Sequence, residues 1–296
     1  MIDPPRKSSS TRRKQSSTRG EDVFGDGPSA LPRARRRFGQ NFLTDPTAIR
    51  RVAAALSASA SDNVLEIGPG RGALTDVLFG GAARITAIEI DRDLCALLRS
   101  RYAEDRLRLI EKDVLEVDFH DLAQQRPLVI AGNLPYNISK PVAMKLVDER
   151  RAVSRAVLMF QREVALRLIA TPGTRAYGPL TVLAGRAYRI ERLFDLAPGA
   201  FQPSPKVVST VTRWTPRPAG DLPDSLVAPL KSVLRASFSR RRQTLQKNLR
   251  VALRGGEVEA ASLLGQAGLD GALRAEMIPP EGFVALAGLW SDRPSG

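Results

Sequence analysis

The chain has one cysteine and one histidine among its 296 residues. The lone Cys95 excludes an internal disulfide and most cysteine-based metal sites. The lone His120 lies between Asp118 and Asp121 and reads as a solvated loop residue. It leaves no histidine metal cluster and argues against a Ser-His-Asp triad. No apolar run approaches the roughly 20 residues of a membrane span. Acidic side chains are in deficit: 31 Asp and Glu face 45 Lys and Arg, for a net charge of +14. That excess calls for a polyanionic partner. No basic helix with a broad apolar face stands out, so nucleic acid is favoured over a membrane surface. What is present in quantity is core: 43% of residues are hydrophobic, in a chain long enough for one large domain and a small one.

The chain is organised around Val64–Leu78, VLEIGPGRGALTDVL. Val64, Leu65 and Ile67 read as a strand, Gly68, Gly70 and Gly72 as a turn, and Ala73, Leu74, Val77 and Leu78 as a helix. Such a turn either packs tightly or lets a nucleotide-like ligand approach the backbone. Two acids favour the ligand. Glu66 precedes the first glycine. Glu89 ends a second apolar run, Ile85–Ile88, where a carboxylate can accept the two hydroxyls of a ribose. The third glycine follows the second by two residues, which argues against the dinucleotide fingerprint. Further strands are expected at Leu107–Ile110, leading to Asp113, and at Leu128–Ile130, opening into Gly132-Asn133-Leu134-Pro135-Tyr136. Ala156–Phe160, Tyr188–Phe194 and Val207–Trp214 follow, with helices between them. The pattern predicts an α/β, Rossmann-like sheet, mostly parallel with one antiparallel strand. Gly68, Glu89, Asp113 and Asn133 then fall at carboxyl ends of successive strands, where open sheets bind ligands.

Residues 1–31 are polar and basic and are expected to be a disordered tail. Asp3, Glu21, Asp22 and Asp26 count against a transit peptide, and no secretory apolar segment is seen, so a cytoplasmic protein is expected. A methyltransferase-type domain is expected over 32–214 and a Pro-rich linker over 215–224. A small all-helical, RNA-binding domain is expected over 225–296. In that domain Leu234, Phe238, Leu245, Leu249 and Leu253 form a stripe at near-helical spacing. The spacing predicts that Arg240, Arg241 and Arg242 share a helix with Leu245 and Leu249. They and Arg35, Arg36 and Arg37 are candidate phosphate contacts; the bland alternative for each is a solvated face.

Asn133-Leu134-Pro135-Tyr136 suits an amine. The Asn oxygen and the Leu134 carbonyl can accept its hydrogens, Pro135 fixes the backbone, and Tyr136 offers a ring for stacking. Phe201, in the Pro-rich loop, is a second stacking candidate. The amine of adenine is a poor nucleophile, so positioning and acceptors matter more than a strong base or a metal. No metal is called for. A base must leave its stack to reach such a pocket.

These motifs together resemble the ribosomal RNA adenine dimethyltransferase family. The resemblance spans about Arg35–Leu289 and rests on RRRFGQNFL, VLEIGPGRGALT, IEIDRDL, EKDVLEVDF, GNLPYNIS, FQREVALRLIA with TRAYGPL, and LAPGAFQPSPKVVST. FSRRRQTLQKNL and AGLDGALRAEMIPPEGFVALA resemble the branch that dimethylates two adjacent adenosines near the 3′ end of small-subunit rRNA. The resemblance implies S-adenosylmethionine as methyl donor, a monomer, and an assembling 30S particle as partner. It implies that Asn41 and Leu43 cover the cofactor and that Gly68 meets its methionine part. It places Glu89 at the ribose, Asp113 at the adenine amine, and Asn133 between cofactor and target. Two positions depart from the family pattern: Pro179 where Arg is usual after YG, and Val208 where Asp is usual after PKV. The rival readings are a non-catalytic RNA-binding assembly factor and a large-subunit rRNA methyltransferase conferring macrolide resistance.

Overall fold

The computed structural model describes Met1, Pro32, Ala34, Arg35 and residues 39–124, 126–218, 221–253 and 255–291. The expected tail and the candidate contacts Arg36 and Arg37 lie outside the described residues. In chain order the strands are β1 (Phe42–Leu43), β2 (Asn63–Ile67), β3 (Ile85–Glu89), β4 (Leu107–Glu111), β5 (Leu128–Asn133), β6 (Val153–Gln161), β7 (Tyr188–Leu196), β8 (Phe201–Gln202) and β9 (Ser209–Pro216). The helices are α1 (Pro46–Leu56), α2 (Ala73–Leu78), α3 (Arg92–Arg101), α4 (Phe119–Ala123), α5 (Ser139–Asp148), α6 (Arg162–Leu168), α7 (Pro179–Ala187), α8 (Asp224–Ser237), α9 (Leu245–Ala252), α10 (Gly256–Gln266) and α11 (Pro280–Ser291).

Seven strands form one sheet in the order β4-β3-β2-β5-β6-β9-β7. The first five of these run parallel, and β9 is antiparallel to both of its neighbours. This is the α/β sheet with one antiparallel strand expected from the sequence. Strand order reverses between β2 and β5, which opens a crevice at their carboxyl ends. The short β1 and β8 pair with each other at that end, Leu43 opposite Phe201.

Central strands must bury both faces, and β5 is apolar without alternation for that reason. Its Leu128 and Ile130 join one core, with α4, α5, α7 and the C-terminal helices. Its Val129 and Ala131 join the other, with Ile49, Val52 and Leu56 of α1, Leu74 and Leu78 of α2, and Leu98 of α3. Leu230 and Leu234 of α8, Leu249 of α9 and Phe283 of α11 belong to the first core, and α8 and α11 pack against α7. The chain from Pro32 onward is one compact unit. Buried Arg150 crosses the junction, donating to the Leu222 carbonyl at 2.7 Å and pairing with Asp224. The Tyr177 hydroxyl donates to the Ile278 carbonyl at 2.8 Å.

One sequence expectation is corrected. Arg240–Arg242 do not share a helix with Leu245 and Leu249; α8 ends at Ser237 and α9 begins at Leu245. The physical reason is capping. Asn248 Nδ2 donates to the Ser237 carbonyl at 2.7 Å and the Arg240 carbonyl at 3.1 Å, satisfying the end of α8. Thr244 is the N-cap of α9, accepting from the Lys247 N–H. The leucine spacing is helical on either side of a turn that lies within it.

Candidate active site

Beyond the carboxyl ends of β2–β5 lies an open cleft. It is lined by Asn41, Gly68, Glu89, Asp113, Asn133, Leu134, Pro135 and Tyr136. These expected residues come from five chain segments. All but Asn41 lie at or just beyond a strand end, because a parallel sheet sends every loop of one polarity to the same edge; Asn41 comes from the segment that leads into β1. Gly68 follows β2 and donates its N–H to the Ile88 carbonyl at 2.9 Å. Gly70 has φ +59°, and a Cβ there would sit 2.9 Å from Phe42 Cδ1. Phe42 therefore lies directly on the turn, with the Arg71 guanidinium 4.5 Å from its ring centre.

Glu89 closes β3 and is buried. Its Oε1 accepts the N–H groups of Ile90 and Asp91, each at 3.0 Å, and its Oε2 accepts that of Gly70 at 3.2 Å. Burial pushes its carboxyl up from the ordinary range, against the pull of those three donors. The carboxylate is thus fixed in direction by backbone and has lone pairs left for hydroxyls in the cleft. Asp113 spends Oδ1 on the Leu115 N–H at 2.9 Å, which leaves Oδ2 as an acceptor for an amine. Glu66 sits deeper. Burial raises its carboxyl to about 7, and the charges of Glu89 and Asp76 push the same way. The Thr75 hydroxyl donates to it at 2.6 Å.

Asn133 is the last residue of β5. Its Nδ2 donates to the Asn41 carbonyl at 2.8 Å, which turns Oδ1 toward the remaining acceptor role. The Pro135 carbonyl accepts from Ser139 Oγ at 3.2 Å, at the start of α5. The Tyr136 hydroxyl meets the Ser209 hydroxyl at 3.0 Å, so the ring is tethered to the first residue of β9. Burial pushes the Tyr136 phenol up, so it stays protonated at neutral pH.

Some expected residues are elsewhere. Leu43 and Phe201 are buried in the second apolar core, facing each other across β1 and β8, and do not line the cleft. Arg35 pairs with Asp91 at 3.2 Å and with Asp93, which removes it from the free phosphate contacts. Arg240 and Arg242 are exposed on the α8–α9 turn. Arg241 is also exposed, but it donates to the Arg175 and Tyr177 carbonyls and pairs with Glu276 at 3.6 Å. Pro179 is the first residue of α7, and the Val208 carbonyl accepts the Arg162 N–H at 3.0 Å. That last bond is a backbone bond, so it does not depend on having Asp at this position.

Sequence reasoning missed the apolar walls Ile90, Leu94 and Val114, and also Gln40 and Lys112. The available signal was position: Ile90 is an apolar residue directly after a strand-ending acid, and it is 43% exposed. An apolar side chain left open beside a fixed carboxylate suits a heteroaromatic ring carrying a ribose. Glu89 could therefore accept the diol of a nucleoside and Asp113 its ring amine, with Ile90 and Val114 as apolar walls for the ring. Asn133 Oδ1 and the Leu134 carbonyl form a second set of acceptors, beside an aromatic ring. Among the described residues, no group of three or more His, Cys, Asp or Glu could hold a metal.

The chain is similar to known proteins. A ribosomal RNA small subunit methyltransferase A from Aromatoleum aromaticum is 42% identical over 254 residues, 86% of this chain and 93% of its own. A solved dimethyladenosine transferase from Plasmodium falciparum superposes with a TM-score of 0.72 at 25% identity, over 83% of this chain and 95% of that one. The 23S rRNA methyltransferase ErmE superposes with a TM-score of 0.63, also at 25% identity, over 84% and 98%. The family model described as ribosomal RNA adenine dimethylase matches residues 32–287, and the chain belongs to that family.

Proposed function

We propose that this protein transfers methyl groups from S-adenosylmethionine to the N6 amines of two adjacent adenosines near the 3′ end of small-subunit rRNA. It would act as a cytoplasmic monomer on an assembling 30S particle. The observation that carries this reading is the meeting, in one cleft, of a nucleoside-binding set and an amine-accepting set. S-adenosylmethionine, when bound, supplies a methyl group already activated by its sulfonium. Glu89 would take the ribose hydroxyls, Asp113 the adenine amine, and the Gly68–Gly70 backbone the methionine part. The remaining work falls to the protein's own groups. Asn133 Oδ1 and the Leu134 carbonyl accept the two N6 hydrogens of a flipped target adenine, which draws electron density to the nitrogen and aims its lone pair. Tyr136, tethered by Ser209, offers a face on which that base stacks. The methylated amine is strongly acidic and passes its proton to solvent water, so no side-chain base is needed; in the second transfer the one remaining N6 hydrogen meets one of the two acceptors.

A second cleft supports an RNA substrate. It is lined by Lys140, Arg167, Arg175 and Arg241, of which Arg167 pairs with Glu163 and Arg241 with Glu276. Lys140 lies two residues after Ile138 of the first cleft, so their Cα atoms are at most about 7 Å apart. A strand whose target base enters the first cleft has its neighbouring phosphates within reach of these cations. The fold is shared with a dimethyladenosine transferase and with a 23S rRNA methyltransferase, so it is the 42% identity to a small-subunit rRNA methyltransferase that supports the small-subunit target. The test is transfer of labelled methyl groups to small subunits from a strain lacking the modification, followed by nucleoside analysis. N6,N6-dimethyladenosine in small-subunit rRNA is expected; label only on large subunits, or none, overturns the reading.

A further inference from the structure

Asn133 can act as an acceptor only if its amide points the right way. Turned by 180°, it would present Nδ2 to an incoming amine, donor against donor. Among the described residues, the amide's hydrogen bond is to the Asn41 carbonyl, which can only accept and so selects the orientation. Asn41 is on the segment that leads into β1, so the polarity of the target-facing side chain is set from outside the sheet.

That segment is held at several points. The Pro32 carbonyl accepts from Arg71, with Nη2 at 2.8 Å. The Arg35 N–H donates to Gln40 Oε1 at 2.8 Å, and Gln40 Nε2 donates to Asp91 Oδ2 at 3.1 Å. Asp91 also pairs with the Arg35 guanidinium at 3.2 Å and accepts the Asp93 N–H at 3.1 Å, as N-cap of α3. Its side chain is only 2% exposed. Its own N–H is one of those that aim Glu89. Asp91 is thus a buried carboxylate joining the rim of the nucleoside-binding set to the segment that orients Asn133. Gln40 is the neighbour of Asn41 and uses both ends of its amide in this junction.

We infer that Gln40 is a positioning residue for methyl transfer: clamped to Asp91, it holds the Asn41 carbonyl against Asn133 and so keeps Oδ1 facing the target amine. The inference rests on the proposed reaction for its consequence, while the clamp itself is a property of the protein alone. Removing it lets the carbonyl drift, and Asn133 samples the wrong orientation part of the time. The cost falls on the transfer step more than on cofactor binding, because Glu89 and Asp113 keep their own backbone partners.

Two variants test this, Gln40→Ala and Gln40→Glu, each read in three ways. Single-turnover methylation of small subunits should slow by about tenfold, the scale of one or two lost hydrogen bonds. Calorimetric affinity for S-adenosylmethionine should fall by less than the transfer rate does. In the free protein, proton exchange of the Asn133 side-chain amide, followed by NMR, should accelerate. Gln40→Glu places a carboxylate against Asp91, among Asp93, Glu89 and the Arg35 guanidinium. Its transfer rate relative to the native protein should therefore recover as pH falls. An unchanged amide exchange rate, or a cofactor affinity that falls as far as the transfer rate, overturns the proposal. If the native protein methylates no small subunit, the proposed reaction fails, and the exchange measurement still decides the clamp.

Discussion

Asn133 matters only while its oxygen faces the substrate, and its neighbours are arranged around that requirement. Asn133→Ala should slow methyl transfer by about 10²–10³, as expected for a lost transition-state acceptor. Near-normal single-turnover rates would show that the Leu134 carbonyl suffices. Glu66 supplies a different test. Its carboxyl is raised to about 7 from an ordinary value of 4.5, so the folded state binds a proton that the unfolded chain releases. That contribution to stability is complete below the unfolded value and is lost as pH rises through the folded one. Stability should therefore decline from about pH 5 to 8, by up to about 1.4 kcal/mol per pH unit where the slope is steepest. Glu66→Gln keeps an acceptor for Thr75 and should flatten the decline, though Glu89, raised in the same direction, leaves part of it. Urea midpoints at three pH values measure this; equal slopes in both proteins would remove Glu66 as the cause.

Turns between elements divide the basic residues into two kinds. Arg240 and Arg242 point from the α8–α9 turn into solvent, whereas Arg241 ties that turn to the Arg175–Tyr177 loop and Glu276. Replacing Arg240 and Arg242 together by Gln should weaken binding to small subunits and reduce the salt slope by roughly 0.7–0.9 per lost phosphate contact. Unfolding should be unaffected. Arg241→Gln should also lower the unfolding midpoint. If the double variant keeps the native salt slope, those two arginines are solvated surface, and the phosphates are met by Lys140, Arg167 and Arg175. The sequence showed three adjacent arginines and could not separate them. Their difference is made by carbonyls 64–66 residues away along the chain.

The body from Pro32 onward has one continuous core on the side where the last four helices pack, which makes a further prediction. Thermal unfolding should show a single cooperative transition, with no separate melting of α8–α11. Arg150→Leu should lower it as one transition. The cost should be about 1–2 kcal/mol, because the lost bond to the Leu222 carbonyl is buried while Asp224, about half exposed, can return to water. Two transitions in the native protein would contradict the shared core.

Much of the molecule was determined by local pattern. Alternating apolar strands and amphipathic helices, with glycines and acids at strand ends, specify a parallel sheet. A parallel sheet in turn specifies that Gly68, Glu89, Asp113 and Asn133 share one edge. These inferences hold because each depends on a few residues adjacent in the chain. Tertiary structure decided the rest. Phe201 and Leu43 are apolar residues beside a cleft, and only the pairing of β1 with β8 turned them into the core. Arg35 is a cation in a basic run, and only the proximity of Asp91 and Asp93 bound it. The orientation of the Asn133 amide depends on a carbonyl 92 residues away. Such contacts join residues that have no relation in sequence, and a hydrogen bond is directional, so its partner is set only once the segments have packed.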